Sequence, residues 1–299
     1  MKYLYKNILG TFVFDNQFNL VEEVLGKDVL SKMEKKYQDG KEVPEEKLEV
    51  VLEFFRDPKY FDDFYWNNLE LTKKGIQSGV SEDVLIIQTI SNIQEVDRMG
   101  SMLAKRLREW YGWYLPELRI ENQEKFVSLV VEKGKKELMK ELGVEESMGG
   151  EFSSLDVEEM KLLGKEILKL LELKKKHTIY LEKVMKKYCP NLLELAGATI
   201  GAKLLELGKG LKHLALLPAS TVQLLGAEKA LFRHIKTGSL SPKYGVIVNH
   251  PIVQNAKKEN RGKAARQLAD KLSLCARLDY FKGEFKAKEY KKMLEKKFK

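Results

Sequence analysis

The stretch Pro218-Ala-Ser-Thr-Val-Gln-Leu-Leu-Gly-Ala-Glu-Lys-Ala-Leu-Phe-Arg-His234 decides how the rest of the chain is read. Ser220 and Thr221 carry hydroxyls that can cap a helix end, and Gly226 lets the backbone turn where a side chain would block close approach. A helix begun at Ala227 puts Lys229, Arg233 and Lys236 at i, i+4 and i+7 on one face and leaves Leu231 and Phe232 to face a core. Such a stripe is either a solvated helix face or positive charge presented on a rigid rod.

Charge around this stretch is unevenly distributed. Residues 1–190 hold 31 Lys and Arg against 35 Asp and Glu, a balance of −4, whereas residues 191–299 hold 22 against 9, a balance of +13. A segment so lopsided attracts polyanions through counterion release, so nucleic acid or an anionic membrane face is its natural partner, and acidic proteins also fit. Arg261, Lys263 and Arg266 form a second basic cluster; at helical spacing Ala265 and Leu268 point inward, leaving another one-sided positive face. Lys243, Asn249, His250 and Gln254 lie between the clusters and can donate to phosphates or read exposed bases. No recognition-helix motif with dimer half-site logic is visible, so structured RNA fits better than duplex DNA.

Catalytic chemistry is not indicated. His177, His213, His234 and His250 form no His-x-x-x-His pair, and no carboxylates group with them as metal ligands. Ser220 and Thr221 lack a Gly-x-Ser-x-Gly elbow, and neither a Walker loop nor a dinucleotide fingerprint can be read. Cys189 and Cys275 stand far apart in no ligand spacing, which points to a reducing compartment. Lys6 and Asn7 interrupt the only stretch resembling a signal peptide, and no apolar run reaches membrane-spanning length. A cytoplasmic, non-enzymatic chain without cofactor or metal is expected.

The remaining pattern is mostly helical. Residues 3–24 alternate as two or three short antiparallel strands around a turn at Asp15-Asn16. Asp28 can cap a helix ending near Gly40, and Pro44 opens another that carries Leu48, Val51, Leu52 and Phe55 before Asp57-Pro58 closes it. The aromatic cluster Tyr60, Phe61, Phe64, Tyr65 and Trp66 is expected in a core. From Ser81 a long helix carries Ile86, Ile90, Ile93, Val96, Met99, Leu103, Leu107 and Trp110, ends at Gly112 and Pro116, and leaves Lys105, Arg106 and Arg108 solvated at its C-terminal end. Helices over about 117–142 and 155–188 follow. The second spaces Leu163, Ile167, Leu170, Lys174, His177, Leu181, Val184 and Tyr188 as a coiled-coil seam, interrupted by Lys174 and His177. Globular helices return after Pro190, and the Lys-rich end beyond Ala287 reads as frayed helix or disorder.

The wording Gly226-Ala-Glu-Lys-Ala-Leu-Phe-Arg-His234, between Leu217-Pro-Ala-Ser-Thr-Val-Gln223 and Lys236-Thr-Gly238, resembles the Nop domain of the archaeal box C/D RNA-protein core proteins. The likeness extends to Pro242-Lys-Tyr-Gly245, Asn249-His-Pro251, Arg261-Gly-Lys-Ala-Ala-Arg266 through Ala276-Arg-Leu-Asp279, Cys189-Pro-Asn-Leu192, and Arg106-Leu-Arg-Glu-Trp-Tyr-Gly112 within Ile86 to Leu118. The resemblance implies a mainly α protein with a small N-terminal α/β domain (1–80) that binds the methyltransferase fibrillarin. A long antiparallel coiled coil for self-dimerisation (81–189), an all-helical Nop domain (190–287) and a Lys-rich tail (288–299) complete it. It further implies a non-catalytic scaffold that binds box C/D guide RNA with a small kink-turn-binding protein for 2′-O-methylation of rRNA and tRNA. Carried across, Gly226-Ala-Glu-Lys229 meets kinked RNA and Ala230-Leu-Phe-Arg233 lies near the end of the guide–substrate duplex. The expected RNA-binding set is Glu228, Lys229, Arg233, His234, Lys236, Lys243, Asn249, His250, Gln254, Arg261, Lys263 and Arg266. Two alternatives are a spliceosomal Nop-domain factor, which lacks the N-terminal sheet domain, and a coiled-coil adaptor with a basic anion-binding end.

Overall fold

The computed structural model describes residues 2–26, 37 and 40–298, which form two compact units, 1–80 and 81–299. The helix expected from Asp28 to Gly40 lies outside the described residues. Among them no helix is long and apolar enough to cross a membrane.

The first unit is built on β1 (Tyr3–Lys6), β2 (Gly10–Phe14), β3 (Leu20–Leu25) and β4 (Lys41–Glu42), in the order β3-β2-β1-β4. β1 and β2 pair antiparallel with Tyr3 opposite Phe14 and Tyr5 opposite Phe12, β3 runs antiparallel to β2, and β4 pairs parallel to β1. The β2–β3 turn is tied by the Asp15 carboxylate, which accepts the backbone N–H groups of Gln17 (2.8 Å) and Asn19 (2.9 Å). Those N–H groups, Asn19 foremost, hold the Asp15 carboxyl below its usual range. α1 (Leu48–Phe54) and a turn capped by Asp57 cover the sheet, burying Leu9, Phe12, Phe14, Val51 and Tyr60. α2 (Phe61–Gly79) departs from the sequence expectation: Tyr60 is 2% exposed, but Phe61, Phe64, Tyr65 and Trp66 are all exposed. Aromatic residues at 60, 61, 64, 65 and 66 wrap around more than one helix face, and the small sheet covers only the first of them.

The second unit begins with a helical hairpin. α3 (Glu82–Tyr114) runs antiparallel to α6 (Ser154–Tyr188), joined through α4 (Gln123–Glu132) and α5 (Lys135–Leu142). The helix expected over 117–142 is therefore two helices, because Asn122 caps the first through Lys125 N (2.9 Å) and Lys133-Gly134 breaks the run. α6 opens on a capping box between Ser153 and Asp156 and spans about 50 Å. α3 packs along α6, and near the tip α4 packs on it as well, Val127 and Val131 lying beside Gly164.

The α3 stripe differs in detail from the expected one. Ile86, Ile90, Ile93, Val96 and Leu107 are buried, but the seam passes through Gly100, Ala104 and Tyr111, leaving Met99 and Trp110 exposed; Gly112 sits within the helix. Arg108 is not solvated: its guanidinium donates to Ile120 O (2.5 Å) and lies 4.4 Å from the Phe126 ring centre. Halfway along the hairpin Lys174 Nζ meets Asp97 Oδ1 at 2.6 Å, and Asn92 Nδ2 meets His177 Nδ1 at 2.9 Å. This polar joint separates two dry clusters. One lies at the hairpin tip (Leu107, Phe126, Val130, Met160, Ile167), the other where Ile86, Ile90, Leu181 and Met185 join the C-terminal helices.

Those helices are α7 (Pro190–Ala196), α8 (Ala198–Leu207), α9 (Leu211–Leu216), α10 (Ala219–Leu224), α11 (Glu228–Thr237), α12 (Pro251–Gln254), α13 (Arg261–Tyr280) and α14 (Ala287–Phe298). α13 is the spine, burying Ala264, Ala265, Leu268, Ala269, Leu272, Cys275 and Ala276. Both cysteines are buried free thiols whose pKa values burial pushes up, Cys275 to about 12. At the far end of α13 the buried Asp279 carboxylate accepts from Asn191 N (3.0 Å), Asn191 Nδ2 (2.9 Å) and Leu192 N (2.8 Å). Asn191 Oδ1 in turn accepts from Lys286 N and Ala287 N, which fixes the start of α14. The segment expected to fray is thus an ordered helix, held by buried Ala287 and Leu294 with Tyr290 and Phe298 packed on the same core.

Candidate nucleic-acid interface

α11 projects from a platform made by two crossing backbone segments. Gly245 N donates to Gln223 O and Val246 N to Leu225 O, both at 2.8 Å, and Gln223 Nε2 donates to Lys243 O at 2.5 Å. The approach is so close that a Cβ on Gly245 would lie 1.9 Å from Leu225 O. Gly226 turns the chain out of this crossing at φ +87°, and Gly238 ends α11 at φ +69°, both left-handed values that disfavour other residues.

α11 contains no buried residue. Lys229, Arg233 and Lys236 stand exposed along it as their spacing requires, and among the described residues none pairs with a carboxylate, unlike Lys203, which lies 2.6 Å from Glu206. Phe232, expected to face a core, is 71% exposed, and with Ile235 and Leu240 it forms an apolar side to the helix. The reason is that α11 is tethered at its two ends and packs only loosely, with Leu231 half-buried on the other side. Glu228 serves the helix itself, its carboxylate accepting Gly226 N at 2.7 Å, and the His234 ring bonds the Ser239 carbonyl.

The second basic cluster assembles at the start of α13. Lys243 lies beside Gly262, its Cδ 3.9 Å from where a Cβ there would stand, so Lys243 joins Lys263 and Arg266, both exposed. Arg261 is partly spent on structure, donating to Ala256 O (3.3 Å) and Gln254 O (3.1 Å) and closing the turn after α12. The Asn249 and Gln254 side chains are exposed.

His250 is not at the surface. It is 5% exposed; its Nδ1 accepts Ile252 N (3.2 Å), capping α12, and its Nε2 donates to Leu195 O (2.8 Å). Those bonds require the neutral tautomer, and burial depresses its pKa below the ordinary value. Its sequence neighbourhood signals this role only weakly, since a histidine before proline can cap a helix or face solvent. The positioning residues Gln223 and Gly245 escape a sequence reading because their effect depends on a backbone crossing between segments some twenty residues apart.

The Nop family profile, described as "snoRNA binding domain, fibrillarin", matches residues 92–299. A NOP5 family protein of Methanocaldococcus jannaschii is 40% identical over 260 residues, covering 79% of this chain and 62% of that one. Nucleolar protein 56 of Dictyostelium discoideum is 38% identical over 229 residues (69% of this chain, 42% of that one). A chain of a solved fibrillarin/Nop5p complex is similar at 24% identity, covering 100% of both chains, with a TM-score of 0.49. The chain spans less than two thirds of the length of the curated relatives it matches. By the profile match over most of its length and the identity it shares with the archaeal relative, the chain belongs to the Nop family.

Proposed function

We propose that the protein is the scaffold of a box C/D guide ribonucleoprotein, binding kink-turn RNA together with a small kink-turn-binding protein and positioning fibrillarin for 2′-O-methylation. The observation that carries this reading is α11: a basic helix with no buried side chain, held out from the fold by a fixed backbone crossing, within the segment the Nop profile matches. Lys229, Arg233, Lys236, Lys243, Lys263 and Arg266 are the RNA-facing cations, and they suit phosphates held in a preformed shape, since few aromatic residues stand among them. Asn249 and Gln254 accompany them, while Glu228, His234, Arg261 and His250 act by holding the surface in shape.

The chain supplies surfaces and its methyltransferase partner supplies the chemistry. The open aromatic face of α2, with the adjoining cavity of about 670 Å³ lined by Tyr5, Phe55, Phe61 and Phe64, supports docking of fibrillarin on the first unit. A four-stranded sheet there favours the methylation scaffold over the splicing relative. Met99, Met102, Trp110 and Trp113 recur on one outward side of α3 and support self-association through the hairpin, residues 81–189.

The test is binding of Lys229→Ala, Arg233→Ala and Arg266→Ala to a preformed complex of kink-turn RNA with the small protein, and to naked RNA, across salt. Each substitution is expected to weaken binding to the preformed complex about tenfold and to lower the salt slope by about one. Equal losses on both substrates would refute shape reading by this surface. Methyl transfer by the purified chain with S-adenosylmethionine and RNA, without fibrillarin, would refute the scaffold role.

A further inference from the structure

We propose that the opposite end of α13 carries a second RNA surface, which binds a single strand by stacking one base in a cavity and running its phosphates along α14. The proposal rests on the reading above only in choosing RNA over an acidic protein. The cavity, about 590 Å³, lies where α6 passes into α7 and α13 ends. Tyr188, Tyr280, Leu278 and Phe285 line it, with Lys282 and the Lys187–Glu82 pair (3.3 Å) among its polar residues. Phe285 is 48% exposed and Phe281, packed edge-on against Tyr280 at 4.9 Å, is 67% exposed. Aromatic rings left open to water beside cations are what a sequence-tolerant single-strand site requires.

Lys282 is the most telling residue. It holds φ +54°, a left-handed conformation at a helix end where glycine is the ordinary choice, although Gly283 stands next to it. Glycine at 282 would relieve that strain, as it would at Lys209, which precedes Gly210 in the same conformation but does not line this cavity. Among the described residues it has no carboxylate partner, whereas nearby Lys286 and Lys291 pair with Glu284 (3.0 Å) and Glu194 (3.3 Å).

The surface continues onto α14 as a lysine stripe bordered by the exposed carboxylates of Glu289 and Glu295. Lys288 Nζ lies 5.8 Å from the Phe285 ring centre, and Lys288, Lys292 and Lys296 follow at i, i+4 and i+8, all exposed, on the side away from buried Ala287 and Leu294. Like charges at this spacing destabilise an isolated helix. They recur about every 6 Å, comparable to the step between phosphates of an extended strand. α13, 20 residues and about 30 Å long, separates this surface from Arg261 and Lys263 at its other end. A guide RNA held at its kink therefore has a second foothold for an unpaired segment.

The test uses the full chain and a short fluorescein-labelled oligouridine, which has no kink-turn, with anisotropy read across salt. Phe285→Ala is expected to weaken binding about tenfold. The triple Lys288→Ala, Lys292→Ala, Lys296→Ala variant should lower the salt slope by about two. Lys282→Gly should weaken binding while raising the melting temperature, a pairing that a purely structural lysine would not give. Lys125→Ala, on α4, should change neither. Affinity and slope within twofold of wild type in all of the first three variants would overturn the proposal, as would oligoglutamate displacing the strand as effectively as unlabelled oligouridine. Binding to the kink-turn complex is measured in parallel. Its failure with strand binding intact removes the proposed function and leaves this surface standing, and the converse result removes this surface alone.

Discussion

Gly245→Ala isolates what holds α11 in place. At this position φ is −103° and ψ −131°, outside the regions that an L side chain favours, so alanine adds backbone strain to the steric clash. The new Cβ would stand 1.9 Å from Leu225 O, and the two strands of the crossing must part by about 1 Å before that contact reaches 3.0 Å. Parting them loses the Gly245–Gln223 and Val246–Leu225 backbone bonds and strains the Gln223–Lys243 side-chain bond. At about 1 kcal/mol net for each of the three, the cost is about 3 kcal/mol, which for a unit of this size lowers the melting temperature by roughly 5–10 °C. Gly238→Ala is the matched control: its φ of +69° penalises alanine, but nothing lies within 4 Å of the added carbon. It should cost about 1 kcal/mol and leave the crossing intact. Thermal unfolding followed by circular dichroism gives both costs, and hydrogen exchange at the amides of Gly245 and Val246 reports the crossing itself. If Gly245→Ala costs no more than Gly238→Ala, or the two amides stay equally protected in both variants, the steric argument fails.

Asp279→Asn should cost about 1–3 kcal/mol in chemical denaturation, because an amide NH₂ can replace at best one carboxylate oxygen and then faces a donor it cannot accept. His250 gives a pH signature: its folded pKa lies below 6.5, so the unfolded chain binds that proton first and stability falls as pH drops through about 6.5 toward the depressed value. Urea midpoints between about pH 7 and 5 should therefore decline less in His250→Gln than in wild type; an identical decline would mean that other groups carry it. On the proposed self-association through the hairpin, wild type should sediment as a dimer and Met102→Glu with Trp113→Glu as a monomer without loss of helicity, since both side chains are exposed at 60% and 74%; a monomeric wild type would refute it.

Several elements are legible directly in the sequence. Ile86, Ile90, Ile93 and Leu107 mark α3 because large apolar residues dominate a helical period, and the basic stripe of α11 follows from its spacing. The failures have specific causes. Gly100 and Ala104 take the seam positions in place of Met99 because small residues allow close helix contact yet add little to a hydrophobic count. The break at Lys133-Gly134 is only two residues within an otherwise helical run. The lysines of α14 conceal the stripe Ala287, Tyr290, Leu294 and Phe298, which becomes visible only when Asn191, some hundred residues earlier, is seen to bind its first amides. Helical spacing places Phe232 toward a core, and only the tertiary structure shows that it stands 71% exposed on a loosely packed helix.

The polar joint in the hairpin works as a measuring device. With Asp97 opposite Lys174 and Leu107 beside Gly164, α3 and α6 have one alignment in which charges meet charges. Sliding the helices by one heptad, about 10 Å, would set Asp97 against Ile167 or Leu181 and Lys174 against Ala104 or Ile90, all of them buried. Either error breaks the pair and turns a charge toward apolar neighbours, and because Asp97 and Lys174 are half-exposed each loss is about 1 kcal/mol or less. The two oily ends supply most of the adhesion, and the wet middle supplies a graduation mark. The reach of the stalk, and so the separation between whatever is bound at its tip and whatever is bound at its base, is biased toward one value by this joint together with the Glu82–Lys187 pair at the base.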